Sequence, residues 1–257
     1  MAQDVKEQLP FLVIKDLLVK RGTRTILNYV NVTLNKGETL VVMGISGMGK
    51  STLIKCIIGL LKPQDGEIYI NGEEILNLPI RNLNKIRKKL GMVFQSPALF
   101  DSLTILENVA FGLREHTKLA EEEIRREVAE KLAIVDLAGT ENMFPSQLSG
   151  GMQKRASIAR AVVTNPELVL YDEPTSGLDP IMSSVINELV NSLKRSLNVT
   201  SIVVTHDLTS AYSIGDKIVL LHEGEFVEMG TVETFRNSAN PVTRQFIEGS
   251  PDGPIKM

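Results

Sequence analysis

Residues 44–52 read GISGMGKST, and this stretch decides the fold. It fits the pattern G-x-x-x-x-G-K-[ST], in which glycines let successive backbone N–H groups turn toward phosphate oxygens. The apolar run at 39–43 predicts a buried strand before the loop, and residues 50–59 predict a helix that ends at a glycine. Strand, loop and helix in this order indicate a phosphate site at the positive end of a helix. We therefore expect an α/β fold with a parallel sheet around this loop.

The phosphate loop assigns roles to particular side chains. Lys50 is expected to contact the β and γ phosphates, and the Ser51 hydroxyl is expected to ligate Mg²⁺. The other expected members of the phosphate cradle are Gly44, Ser46, Gly47, Gly49 and Thr52. The expected cofactors are therefore ATP and Mg²⁺.

Residues 167–174 read ELVLYDEP, an apolar run that ends in two carboxylates. Such a strand can bring its terminal carboxylates to the edge of the sheet where the phosphate loop lies. Asp172 is expected to hold Mg²⁺ through a water molecule, and Glu173 is expected to polarise the attacking water. The alternative is an exposed acidic turn, but the phosphate loop already requires a metal partner.

Residues 148–153 read LSGGMQ and precede a predicted helix over 153–163. Ser149 and the amides of Gly150 and Gly151 would form a second positive helix end suited to phosphate. Because one chain already has a phosphate loop, this second site is expected to face the γ phosphate held by another copy. The interpretation predicts a head-to-tail dimer with two composite ATP sites, whereas a glycine-rich helix cap is the structural alternative.

At these motifs, and over about residues 11–230, the sequence resembles the ABC transporter ATPases. The resemblance implies roles for three further residues. Gln95, in VFQS, matches the Q-loop that touches Mg²⁺ and the transmembrane partner. Asp179, in SGLD, matches the D-loop that crosses the dimer interface. His206, in VTHD, matches the switch histidine near the γ phosphate, so Lys50, Gln95, Glu173 and His206 form the expected catalytic set.

The resemblance also implies a RecA-like parallel-sheet core, an antiparallel β subdomain and a helical insert within a single ATPase domain over 1–257. Residues 11–95 and 166–240 are expected to form the core with the β subdomain, and 96–165 the helical subdomain. Residues 241–257 are expected to be a C-terminal tail, either a flexible end or a segment that contacts the dimer partner. The helical assignment depends on apolar residues at steps of four, four and three: Ile124, Val128, Leu132 and Val135.

Short turn signals predict two hairpins. Asn71-Gly72 lies between residues that alternate in polarity, and Glu223-Gly224 follows an apolar run. One family feature departs from the pattern, because Arg21 stands where an adenine-stacking aromatic is expected. A guanidinium plane can stack on a base, and the alternative is a solvated loop cation.

Composition limits the classes of partner. With 257 residues, 43% apolar content and a net charge of −3, the chain is expected to be globular, with no global basic field for nucleic acid. The cluster at 81–89 is interpreted as a solvated helix face, and Cys56 as a small core residue in a reducing compartment. Residues 1–8 lack a targeting pattern and no apolar run approaches about 20 residues. Membrane contact is therefore expected through partners, with the chain peripheral at the cytoplasmic face of the inner membrane.

Segments outside the motifs indicate what kind of molecule the transporter carries. Residues 95–100, 108–117 and 244–254 resemble the ATPases of Mla/Mce-type lipid transporters, with the string LREHT at 113–117 as the most informative part. The resemblance implies a polytopic permease, an Mce-domain lipid-binding protein and, in some systems, a STAS-domain protein. Two alternatives are an importer ATPase for polar solutes such as amino acids, and a regulatory envelope ABC protein that transports nothing.

Overall fold

The computed structural model describes residues 9–256, so the expectation for residues 1–8 lies outside the described residues. The strands are β1 (Leu12–Arg21), β2 (Arg24–Leu34), β3 (Thr39–Met43), β4 (Asp65–Ile70), β5 (Glu73–Glu74), β6 (Leu90–Val93), β7 (Leu168–Asp172), β8 (Thr200–Thr205), β9 (Lys217–His222) and β10 (Glu225–Thr231). The helices are α1 (Lys50–Ile57), α2 (Ile80–Arg87), α3 (Ile105–His116), α4 (Glu121–Ile134), α5 (Gly150–Val162), α6 (Pro180–Leu197), α7 (Leu208–Ile214), α8 (Val232–Arg236) and α9 (Pro241–Glu248), with a 3-10 helix at Pro145–Gln147.

The central sheet has six strands in the order β10-β9-β3-β8-β7-β6. The five strands from β9 to β6 are parallel, and β10 adds an antiparallel edge. Every residue of β3 and β8 is buried, as expected for parallel strands covered on both faces. The expected α/β fold with a parallel core is confirmed.

A second sheet, β2-β1-β4-β5, is antiparallel and packs on one side of the central sheet. Alternate residues of β3 divide between two cores: Leu40 and Val42 pack with this sheet and α1, whereas Val41 and Met43 pack with the helices on the other side. Cys56 lies in the first core and is fully buried, which raises the pKa of its thiol to about 12. The expected core role of Cys56 is confirmed.

Both predicted hairpins are present. Asn71 and Gly72 have φ of +51° and +81° between β4 and β5. Glu223 and Gly224 have φ of +48° and +86° between β9 and β10. Two successive residues with positive φ suit the right-handed twist of the strands that they join.

Helices α3, α4 and α5 lie between β6 and β7, where the helical insert is expected. The predicted apolar stripe of α4 is buried at Ile124, Val128 and Leu132, and Val135 is buried just after the helix. Thr104 begins α3 with a capping box, because its hydroxyl accepts from the Glu107 N–H and the Glu107 carboxylate accepts from the Thr104 N–H. The subdomain boundaries themselves stay a prediction.

The flexible-end alternative for the tail is wrong over 241–256. Residues of α9 pack against the core, and Ile255 is buried. Pro and Gly suggested flexibility, but Gln245 satisfies the backbone of the returning chain with its side-chain amide. Within 9–256, none of the helices combines the length and the apolar character needed to cross a bilayer.

Candidate active site

The phosphate loop joins β3 to α1 and holds conformations that require glycine. Gly49 has φ of +102°, and a Cβ there would lie 2.9 Å from Ile26 Cγ2. A Cβ on Gly44 would lie 2.4 Å from the carbonyl oxygen of Leu221 on β9. The loop therefore packs tightly between β2 and β9, with its backbone held at the N-terminal end of α1, where a helix favours anions.

Lys50 is the first residue of α1 and is only 6% exposed. Its ammonium donates to the carbonyl oxygens of Gly44, at 2.7 Å, and Ile45, at 3.2 Å. The Glu173 carboxylate is 3.7 Å from the same Nζ. Burial lowers the pKa of Lys50, and the charges of Glu173 and Asp172 oppose that shift. A cation is thus fixed under the loop and beside the carboxylates.

The two carboxylates at the end of β7 are placed differently. Asp172 accepts a hydrogen bond from the Ser51 hydroxyl at 3.1 Å, and burial raises its pKa. Glu173 has φ of +49°, and its carboxylate lies 3.0 Å from His206 Nδ1. A non-glycine residue in the left-handed region is costly and is enriched at functional sites. Glu173 is only 9% exposed, so an exposed acidic turn is not what the chain forms.

A cleft of 640 Å³ brings most of the predicted site residues together. This volume is typical of a cofactor-sized pocket. The predicted residues that line it are Arg21, Ser46, Gly47, Gly49, Lys50, Ser51, Thr52, Gln95, Glu173 and His206. Gly44 and Asp172 do not line the cleft, but each accepts a hydrogen bond from a lining residue: Gly44 from Lys50 and Asp172 from Ser51.

The donors around the cleft fit Mg²⁺. A hydroxyl at Ser51 and a carboxylate at Asp172 stand side by side, and Mg²⁺ prefers oxygen ligands from one or two protein groups together with phosphates. Within the described chain, no three His, Cys, Asp or Glu side chains gather into an all-protein metal site. A magnesium ion here would therefore depend on the nucleotide for part of its coordination.

The second predicted anion site does not line this cleft. Ser149 caps α5, its hydroxyl accepting from the Met152 N–H at 3.3 Å, and both Ser149 and Gly150 are exposed. The helix begins at Gly150 rather than at the predicted 153, because Ser149 already provides the cap. Gly151 is buried, and a Cβ there would lie 2.5 Å from Met182 Cε on α6. Asp179 caps α6 and also lies outside the cleft.

Gln95 lines the cleft and its amide donates to the Ser176 hydroxyl at 3.3 Å. Its backbone carbonyl accepts from Lys154 Nζ, and Lys154 is buried in α5. The sequence analysis did not single out Lys154. This residue lies one turn after Gly151, on the buried side of α5. Sequence reasoning also missed Arg24, Ile26 and Phe246 in the cleft lining; a phenylalanine 196 residues after Lys50 carries no local signal of that contact.

The fold and the cleft define an ATP-binding cassette, and comparison with known proteins agrees. The ABC transporter family model matches residues 27–176. The chain belongs to the ABC transporter family and is an ATP-hydrolysing ABC ATPase.

Particular relatives are similar over most of the chain. The intermembrane phospholipid transport system ATP-binding protein MlaF of Haemophilus influenzae is 44% identical over 244 residues, which cover 95% of this chain and 92% of MlaF. The probable ribonucleotide transport ATP-binding protein mkl of Mycobacterium tuberculosis is 43% identical over 92% of this chain and 66% of mkl. The solved dimeric post-hydrolysis state of the ATP-binding cassette MJ0796 bound to ADP and Pi is 37% identical, with a TM-score of 0.79 over 86% of this chain and 98% of that one.

Proposed function

We propose that this chain is the ATPase subunit of a bacterial transporter that moves phospholipid or other hydrophobic molecules across or between membranes. The support is its similarity to the phospholipid transport ATP-binding protein MlaF over 95% of this chain and 92% of that relative. The mkl relative is named for ribonucleotide transport, so a polar cargo is the second candidate.

The observation that carries the chemistry is the position of Glu173 between Lys50 and His206 in one cleft. In this proposal Lys50 holds the β and γ phosphates and neutralises charge as the terminal phosphoryl group leaves. Glu173 orients a water molecule and accepts its proton, and the products are ADP and inorganic phosphate. His206 contacts the Glu173 carboxylate and lines the cleft, and it is proposed to contact the γ phosphate.

Ser51 and Asp172 are the residues proposed to hold Mg²⁺, Asp172 through a water molecule, and Gln95 would be a further ligand. Mg²⁺ bound there supplies charge neutralisation for the phosphates. Gly44, Ser46, Gly47, Gly49 and Thr52 are proposed to complete the phosphate cradle. Arg21 lines the cleft and is proposed to stack on adenine in place of an aromatic ring.

The second half of each site is proposed to come from another copy. Ser149 and Gly150 are exposed at the N-terminal end of α5 and do not line their own chain's cleft. An exposed helix end with free amides can receive the γ phosphate bound by a partner, and Gly151 and Asp179 would support that interface. The dimeric state of MJ0796 with ADP and Pi supports this arrangement.

The proposed assembly lies at the cytoplasmic face of the inner membrane. A polytopic permease would bind the ATPase dimer, an Mce-domain protein would carry lipid beyond it, and a STAS-domain protein would bind the ATPase in some systems. No nucleic-acid partner is proposed. Binding of two ATP molecules would close the dimer, and hydrolysis would open it, so that the permease changes shape.

The cargo is tested by purifying the intact complex through a tag on this chain and identifying its subunits and bound lipids by mass spectrometry. The proposal predicts an Mce-domain protein, a permease and co-purified phospholipid, and ATP-dependent lipid transfer between vesicles. Recovery of a polar-solute binding protein would instead support the importer. A stable membrane complex that hydrolyses ATP without transferring lipid or solute would support the regulatory alternative.

A further inference from the structure

The last part of the chain, residues 241–256, forms a closed structure that we call the C-terminal segment. Gln245, on α9, is 7% exposed and binds both backbone groups of Ile255: the Ile255 N–H donates to Oε1 at 2.6 Å, and Nε2 donates to the carbonyl oxygen at 3.1 Å. Nε2 also donates to the Ser250 carbonyl oxygen at 3.2 Å. A Cβ on Gly253 would lie 2.3 Å from Gln245 Oε1. The chain after α9 therefore returns along a fixed path.

This segment lies beside the phosphate loop of its own chain. A cavity of 250 Å³ is lined by Ile45 of the loop and by residues of the segment, including Phe246 and Ile255. Ile45 and Phe246 also line the 640 Å³ cleft. Both side chains therefore stand between the cleft and the smaller cavity. Ile255, which lines the smaller cavity, is 7% exposed.

Ile45 is also connected to the catalytic lysine, because its carbonyl oxygen accepts a hydrogen bond from Lys50 Nζ at 3.2 Å. A displacement of Ile45 moves one of the two carbonyl acceptors that hold this buried ammonium. A shift of about 1 Å at a charged group can change binding and catalysis strongly. A change in the surroundings of Ile45 is therefore expected to alter the position of Lys50.

We propose that the C-terminal segment is a wall of the ATP site of its own chain, and that Phe246 and Ile255 are positioning residues that hold the phosphate loop through Ile45. This inference rests on the proposed assignment of the cleft as the ATP site. The segment acts in its own chain, before any second copy is bound.

The test measures the dissociation constant of a fluorescent ATP analogue with the full chain. Phe246→Ala and Ile255→Ser are expected to weaken binding about three- to tenfold. Ile255→Val is expected to bind like the unmodified chain. The matched control is Ile80→Ser, the same change at a 64% exposed residue, which is expected to leave binding unchanged.

A merely structural role is separated by thermal melting with and without ATP. Loss of general stability lowers both melting temperatures equally, whereas the proposal predicts a smaller ATP-induced rise for Phe246→Ala and Ile255→Ser. If Ile255→Ser does not fold, Phe246→Ala decides, because Phe246 is only partly buried. Equal reductions of both melting temperatures with unchanged affinity would overturn the proposal.

The Lys50→Ala variant distinguishes a failure of the cleft assignment from a failure of the segment proposal. If Lys50→Ala binds ATP normally, the assignment of the cleft fails. If Lys50→Ala loses binding and the two variants of the segment bind normally, the segment proposal alone fails. The weakening must also persist at concentrations where light scattering shows a monomer. An effect confined to the dimer would place the segment on the partner's site and overturn the proposal.

Discussion

Replacement of Glu173 by glutamine removes the proton acceptor and keeps the side-chain volume. The change Glu173→Gln leaves Lys50 with its two carbonyl acceptors and with Asp172 nearby, so the fold is expected to persist. A positioned general base contributes about 10²- to 10⁴-fold to rate. This range corresponds to about 2.7–5.4 kcal/mol at 1.36 kcal/mol for each factor of ten.

We expect the Glu173→Gln variant to lose about 10²- to 10⁴-fold in steady-state phosphate release and to bind ATP with an affinity within about threefold of the unmodified chain. Phosphate release and equilibrium binding of a fluorescent ATP analogue measure the two quantities on the same preparation. Glu130→Gln, the same change at an exposed position of α4, is the matched control and should hydrolyse ATP normally. Turnover within about threefold of normal in the Glu173 variant would remove Glu173 from the role of base.

Three further predictions concern the phosphate loop, the proposed adenine contact of Arg21 and the helical insert. Gly49→Ala places a methyl group 2.9 Å from Ile26 Cγ2 at φ of +102° and should weaken ATP binding by about tenfold or more; normal binding by titration would show that the loop tolerates a Cβ. Arg21→Ala should weaken ATP binding by about twofold to fivefold and GTP binding similarly, and Arg21→Trp should restore it; unchanged affinity would make Arg21 a solvated cation. Asn108 is fully buried, and its side chain makes four hydrogen bonds with backbone groups between 100 and 104. Asn108→Leu should therefore lower the free energy of unfolding by about 2 kcal/mol and the melting temperature by about 4–8 °C. A melting temperature within about 1 °C of normal by calorimetry would contradict this.

The sequence predicted those parts of the site that local motifs determine. The phosphate loop could be recognised because its glycines serve backbone requirements within a few residues. The runs at 39–43 and 168–171 are short and apolar enough to indicate buried parallel strands. The stripe on α4 was visible because a helical period repeats over residues 124–135. Turn residues at 71–72 and 223–224 predicted their hairpins for the same local reason.

Contacts between distant segments could not be predicted in the same way. The approach of Phe246 to the cleft depends on how α9 packs beside β10. No periodic pattern in the sequence predicts that packing. The order of the C-terminal segment depends on one buried amide, at Gln245, that replaces backbone pairing. Composition suggested flexibility because Pro and Gly are common in loops, but composition does not reveal a side chain that satisfies the backbone from elsewhere.

The central claim is that each ATP is held between Lys50 of one copy and Ser149 of another. In a Glu173→Gln background, dimers of two differently tagged chains can be purified and the ATP that survives rapid desalting can be counted. A Lys50→Ala chain paired with a Ser149→Arg chain should retain one ATP per dimer, whereas a chain carrying both changes paired with a chain carrying neither should retain none. The opposite pattern, with ATP retained only in the second pair, would show that one chain closes its own site.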